Sequence, residues 1–457
     1  MSRADDSYGA SGQSGRSAII ILFAPVAQLF DFIRLLPARM RTLGTTTTLL
    51  FLLRWLLISG LIGGLAGTAS AGFLVSLDWV TRWREAHPWA LAGLPIAGLL
   101  IGLAYHYFGD RVGRGNNLIL DEIHRPSTLI PLRLVPLVLS GTLLTHLTGG
   151  SAGREGTAVQ MAGALADQLT RWLGLRPRDR RLLLIAGMSA GFASVFGTPL
   201  AGAVFGLEVF LLGSIRYDAV LPSFLAAVIA DLTTRAWGVG HTHYPTLEAL
   251  PLTPLLLGCT LLAGALFGLT ARSFATLTHA IGRVFGHITY PPLRPIVGGV
   301  LVAGLMWALG TMRFAGLGVP VIVEAFQHPL APTDFAWKLA LTALTLGCGF
   351  KGGEVTPLFF IGAALGSALA VVLPLPVALL AAMGFVGVFA GAANTPLACT
   401  LLGLELFGSN VAVYLALACV VAYLFSGHTG IYGSQVVGQA KHLRHGRQQG
   451  KRLEELK

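Results

Sequence analysis

The chain has 457 residues, 54% of them hydrophobic and only 12% charged, with a mean hydropathy of +0.70. Soluble domains carry about 25% charged residues, so a soluble fold is excluded and the chain reads as an all-α polytopic membrane protein. Its 32 Lys and Arg exceed its 21 Asp and Glu; in short loops and tails that excess orients a membrane protein with its positive side to the cytoplasm, and no nucleic-acid partner is called for.

In chain order, residues 1–17 (MSRADDSYGASGQSGRS) form a polar stretch that reads as a disordered tail. Residues 18–42 are apolar but hold Pro25, Asp31 and Arg34, which predicts a helix lying at the cytoplasmic interface rather than a span. Apolar runs of spanning length follow near 47–63 and 90–108 in a first membrane half, 43–236. Others lie near 251–271, 294–311 and 410–425 in a second half, 237–434. The basic segments LLPARMRT, RWLGLRPRDRR and the tail 435–457 are predicted to be cytoplasmic. Cys259, Cys348, Cys399 and Cys419 all lie in apolar runs without metal-like pairing, so they read as small buried hydrophobes, and neither a metal nor a cofactor is predicted.

The halves resemble each other. GMSAGFASVFGTPLAGAVFGLEVF (187–210) and GFVGVFAGAANTPLACTLLGLELF (384–407) agree without a gap at 11 of 24 positions, including TPLA and GLE. GREGTAVQ (153–160) faces GEVTPLFF (353–360) at a similar offset. Repeated halves are how many transporters are built, usually with inverted topology. Glu208 and Glu405, matched in GLE, read as structural hydrogen-bonding residues and are left out of the site.

Four breaks interrupt the apolar runs: GGSAGREG, GCGFKGGEVTP, FGTP and AANTP, two in each half. In hydrocarbon every backbone N–H and C=O needs a partner, so broken helices survive only inside protein or around a watery cavity. A helix starting there exposes its first N–H groups and its positive dipole end, and several such ends make an anion site. A carboxylate at that depth is costly and functional by default. Glu155 is therefore predicted to occupy the anion site itself and, once protonated, to give way to a diffusible anion. A surface Arg154–Glu155 pair is set aside because adjacent residues seldom face each other and the flanking glycines favour close backbone approach.

At these residues the chain resembles the CLC family of chloride channels and anion/proton antiporters. The resemblance is carried by GREGT (Gly153 to Thr157), GEVTP (Gly353 to Pro357), FGTPLAG between them and FSGHTGIYGSQ (425–435) near the end. It implies a homodimer in the bilayer of a bacterial inner membrane, with both termini cytoplasmic. It implies an inverted repeat of tilted and partial helices, with Glu155 as gating and proton-coupling residue and Tyr432 as the central tyrosine. Where chloride-type members have G-S-G-I-P, this chain has GRGNNLILDE (113–122), with Asn116, or Arg114 in a shifted register, at the serine position. The proton-relay glutamate of chloride antiporters is Val209, and Glu354 with Val355 and Thr356 fills the second-half motif. These departures look like the fluoride-exporting branch.

The expected function is thus fluoride export against proton influx, with a chloride/proton antiporter or chloride channel of the same fold as alternative. The expected ion site comprises Asn116, Gly153, Arg154, Gly156, Thr157, Gly353, Glu354, Val355, Thr356 and Tyr432. Strong donors such as an amide and a hydroxyl suit the tightly hydrated fluoride. Phe326 and Phe360 are candidates for aromatic edges along the path. Glu354 is either a second coupling carboxylate or a group tied into its own Gly-rich break. DEIHRP (121–126) reads as a solvated loop. No Ser/His pair or HExxH-like set supports an enzyme.

Overall fold

The computed structural model describes residues 44–456; the predicted tail 1–17 and interfacial helix 18–42 lie outside the described residues. The first half contains α1 (Gly44–Ala86), α2 (Leu94–Phe108), α3 (Asn116–His124), α4 (Leu134–Leu147), α5 (Glu155–Trp172), α6 (Pro177–Phe196), α7 (Pro199–Glu208) and α8 (Val220–Ala236). The second contains α9 (Pro254–Gly286), α10 (Leu293–Ala308), α11 (Val319–Glu324), α12 (Asp334–Gly347), α13 (Val355–Leu369), α14 (Val377–Ala393), α15 (Pro396–Phe407) and α16 (Ala412–Phe425). The two lists match term by term. Four helical stretches among the described residues are long and apolar enough to cross a membrane, and the remaining apolar helices have 10–17 residues. This is the expected fold of full and partial helices.

Sequence punctuation explains the partial helices. Proline opens α6, α7, α9 and α15, where its missing N–H costs no hydrogen bond. Helix α6 ends on Gly197 (φ 71°) and α14 on Asn394 (φ 59°), both left-handed, the conformation that closes a helix. Each is followed by Thr-Pro, which starts the next helix at a new angle.

Small residues let the central helices touch backbone to backbone, as membrane interfaces favour. A Cβ on Gly362 of α13 would lie 1.9 Å from the Gly384 carbonyl oxygen of α14. In the first half, Gly191 of α6 meets the Ala158 carbonyl of α5 in the same way, at 2.8 Å.

Two reciprocal contacts show how the halves are related. Gly153 and Gly353 exchange N–H···O bonds of 2.6 and 2.7 Å in an antiparallel bridge. The Glu208 carboxylate accepts the Leu397 and Ala398 N–H groups opening α15, at 3.1 and 2.9 Å. Glu405 accepts those of Leu200 and Ala201 opening α7, at 3.0 and 2.8 Å. Contacts in which i meets j and j meets i belong to a two-fold relation, not a translation. Helices α5 and α13 therefore leave the glycine bridge in opposite directions, and the repeat is inverted.

Near the C-terminus, β2 (Val436–Val437) pairs in parallel with β1 (Leu211–Leu212), and Leu453 is buried beside them. Residues 121–124 of the DEIHRP stretch are helical, and Glu122 is buried against Arg180 at 3.0 Å, with Arg180 also on Asp167 at 2.7 Å. The expected solvated loop is corrected here: a buried cation draws the carboxylates inward.

Candidate functional site

Helix α4 ends at Leu147, and the chain then turns through Gly149 (φ 84°) and reaches the glycine bridge two residues before α5. The second half repeats this with Gly349 (φ 110°) and Gly352 (φ 153°) ahead of α13. Side chains would not fit. A Cβ on Gly153 would stand 2.9 Å from the Gly353 oxygen, and one on Gly353 would stand 2.8 Å from the Gly156 nitrogen. Removing them brings the N-termini of α5 and α13 together, with N–H groups that have no partner inside their helices.

The fully buried Glu155 side chain lies on those donors. Its carboxylate accepts the Thr356 N–H at 3.0 Å, the Thr356 hydroxyl at 2.5 and 2.7 Å to its two oxygens, and the Arg154 N–H at 3.2 Å. Charge-assisted bonds of this kind are about twice as strong as neutral ones. Arg154 Nε stands 3.4 Å from Glu155 Oε1. The expectation that adjacent residues would not face each other is corrected: Arg154 precedes the helix, and the carboxylate folds back over its own N-terminus.

Asn116 opens α3, next to Gly115 (φ 57°), with its amide nitrogen 3.2 Å from where a Cβ on Gly156 would stand. Its buried carbonyl oxygen has no hydrogen-bond partner among the described residues. Arg114 is half-exposed and held by Asp121 at 2.6 Å, and it lines the same cavity as Asn116; of the two, Asn116 is the one beside Gly156. A cavity of about 160 Å³ opens here, lined among others by Asn116, Gln160, Lys351, Glu354 and Tyr432. Glu354 Oε2 lies 3.7 Å from the same Gly156 Cβ position, across from Asn116.

Other predicted site residues stand elsewhere. The Thr157 hydroxyl pairs with that of Thr142 at 2.7 Å and its N–H bonds the Arg154 carbonyl at 3.1 Å, so Thr157 packs α4 onto α5. Val355 is a buried apolar opening to α13. Phe326 packs on Phe407 and Tyr244, with ring centroids 5.3 and 5.8 Å apart. Phe360 lies against Phe314 at 6.1 Å and under Lys338 Nζ at 5.1 Å. Neither phenylalanine lines this cavity.

Sequence reasoning passed over several polar residues here. Lys351 and Gln160 stood inside the quoted motifs, yet nothing in their spacing said that they face one cavity. His146, buried with Nε2 3.4 Å from the Gly153 carbonyl, and Lys338, buried with Nζ bonded to the Phe314 and Gly316 carbonyls at 3.0 and 2.7 Å, sit in apolar helices. Their isolation among apolar neighbours was the only signal.

The family model described as voltage gated chloride channel matches residues 97–427. A "Chloride/fluoride channel protein" of Pseudomonas syringae pv. tomato is 56% identical over 401 residues, 86% of this chain and 89% of that one. A solved structure described as a CLC-type fluoride/proton antiporter superposes with TM-score 0.82 at 36% identity, covering 86% of this chain and 99% of that one. A slow cyanobacterial Cl⁻/H⁺ antiporter shares the fold, with TM-score 0.71 at 22% identity over 82% of this chain and 94% of its own. Matched over most of its length, the chain belongs to the voltage-gated chloride channel family, the CLC proteins.

Proposed function

We propose that the chain is a fluoride/proton antiporter that exports cytoplasmic fluoride against proton influx. The observation carrying this reading is the Glu155 carboxylate seated on the Thr356 and Arg154 donors where α5 and α13 meet. A protonated Glu155 no longer competes for those donors, and an anion takes its place; one side chain thus exchanges anion for proton. The Arg154 and Thr356 amides with the Thr356 hydroxyl are the donor set, and the Arg154 guanidinium adds positive charge. Gly153 and Gly353 bring the donors together. Asn116, Glu354 and Tyr432 receive the ion in the adjoining cavity, where Glu354 is a second coupling carboxylate.

Fluoride is smaller and more strongly hydrated than chloride, so short, strong donors favour it. The kinship with a CLC-type fluoride/proton antiporter at 36% identity supports the same choice. In this reading the protein is a homodimer spanning the bacterial inner membrane, with its basic loops, residues 1–42 and the C-terminal segment (435–457) on the cytoplasmic side. The membrane halves are 43–236 and 237–434, and the protein moves ions without making or breaking a covalent bond in a substrate.

Fluoride-electrode efflux from proteoliposomes, with internal pH followed in the same sample, tests the proposal. Fluoride efflux that drives protons inward against their gradient is expected. Equal chloride and fluoride efflux would favour the chloride antiporter or channel instead.

A further inference from the structure

Two cavities flank the candidate site and share a wall. The first, of about 160 Å³, is the one lined by Asn116, Glu354 and Tyr432. The second, of about 400 Å³, lies between α2 and α10 and is lined by His106, Asp110 and Arg294, among others. Tyr105 and Lys351 are the residues common to both. The cavities lie at the same end of the molecule, because Gly109 and Asp110 of the second lead directly to Val112 through Gly115 of the first.

The partition is closely packed. Lys351 Nζ lies 4.2 Å from the centre of the Tyr105 ring. A Cβ on Gly141 of α4 would stand 3.0 Å from the Lys351 Cβ and Cγ, so the lysine stem is clamped between α2 and α4. The titratable and charged groups that share these two cavities with Lys351 are Tyr105 and His106 of α2, Asp110, Arg294 of α10, Cys348 of its own loop, and Arg114, Glu354 and Tyr432. Position 209, meanwhile, holds a fully buried valine with nothing to carry a proton. Glu354 itself lines the first cavity, which the anion uses, so a separate way out for the proton runs through the partition.

We infer that Lys351 relays protons between Glu354 and the second cavity, so that proton and anion use separate doors on one face of the protein. The inference rests on the fluoride/proton reading. In the step, the protonated Glu354 carboxyl gives its proton to the neutral Lys351 amine, leaving a carboxylate and an ammonium. The ammonium then passes the proton to water in the second cavity, beside His106 and Asp110, and the amine is restored. One O–H bond and one N–H bond exchange at each transfer, and nothing is oxidised or reduced. Lysine can do this, whereas an arginine guanidinium keeps its proton in proteins.

The test compares wild type, Lys351→Met, Lys351→Arg and His106→Trp, the last placed to fill the second cavity. Fluoride binding is measured by calorimetry in detergent, and fluoride and proton fluxes are measured in proteoliposomes. Lys351→Arg, which keeps the charge, is expected to bind fluoride within a few-fold of wild type, and in both Lys351 variants fluoride-driven proton uptake is expected to fall about a hundredfold, the scale of a lost proton-transfer group. His106→Trp is expected to slow proton uptake with binding intact. Proton pumping by Lys351→Arg at the wild-type rate would reduce the lysine to a fixed charge and overturn the relay. Loss of fluoride binding in a folded Lys351→Arg protein, whose charge is kept, would place the residue in the anion site and overturn it equally. Should the Lys351 variants not fold, His106→Trp decides: unchanged proton uptake removes the second cavity from the route. If wild type itself moves no protons with fluoride, it is the antiporter reading that fails.

Discussion

Glu155→Gln separates competition from coupling. In the structure the carboxylate accepts three donor groups, the Thr356 N–H, the Thr356 hydroxyl and the Arg154 N–H. A hydrogen bond to a charged group contributes about 1.5–3 kcal/mol and a neutral one about 0.5–1.5, so the glutamine, with one acceptor oxygen, is the weaker occupant by roughly 1 kcal/mol per donor. Over three donors the difference is about 3 kcal/mol, and at about 1.4 kcal/mol per factor of ten the anion should bind about a hundredfold more tightly. Because the amide does not titrate, the variant should also lose proton coupling. Calorimetric titration of fluoride into wild type and variant measures the first effect, and pH-monitored proteoliposomes the second. Fluoride binding no tighter than wild type, or protons still driven uphill, would refute the competition between side chain and ion.

In wild type, fluoride displaces a carboxylate that then takes up a proton, so affinity should strengthen as pH falls, by up to about tenfold per pH unit, and calorimetry across pH should find this slope absent in Glu155→Gln. Thr356→Val, made in the Glu155→Gln background to remove the competitor, should weaken fluoride binding by about tenfold, as loss of a hydroxyl donor to a charged acceptor predicts. Glu208→Gln and Glu405→Gln should each lower thermal stability in detergent, by about 1–2 kcal/mol, with Glu208 costing more because it is the more buried and fluoride binding unchanged in both. Gly362→Val should cost about 3 kcal/mol or more, read as a fall in unfolding temperature, since its Cβ would lie 1.9 Å from the Gly384 oxygen.

Features set by local backbone chemistry were legible in the sequence. The Gly-rich breaks announced helices starting inside the protein, and a lone carboxylate at such a start, Glu155, needed donors that only such an end supplies. The matched GLE motifs announced a two-part architecture. Long-range partners were not legible. No spacing rule says that residue 356, 201 positions away, presents its hydroxyl to Glu155, or that Thr157 turns its own to Thr142 instead. Nor could spacing say that Phe326 packs on Phe407 and Tyr244, and Phe360 on Phe314. An aromatic edge is sticky toward any neighbour, and in a chain with 24 phenylalanines the neighbour was usually another ring. Lys351 was visible as a charge in an apolar setting, but its place between two cavities depends on α2 and α4, which are remote in sequence.

The exchanged glutamates bear on how the chain matures. During synthesis the first half reaches the bilayer carrying a helix, α7, whose leading amides wait for Glu405, and a carboxylate, Glu208, that waits for α15. Neither demand can be met until nearly two hundred further residues have been translated and inserted. Until then the first half holds donors and an acceptor whose partners have not yet been made, and its structure is completed only together with the second half.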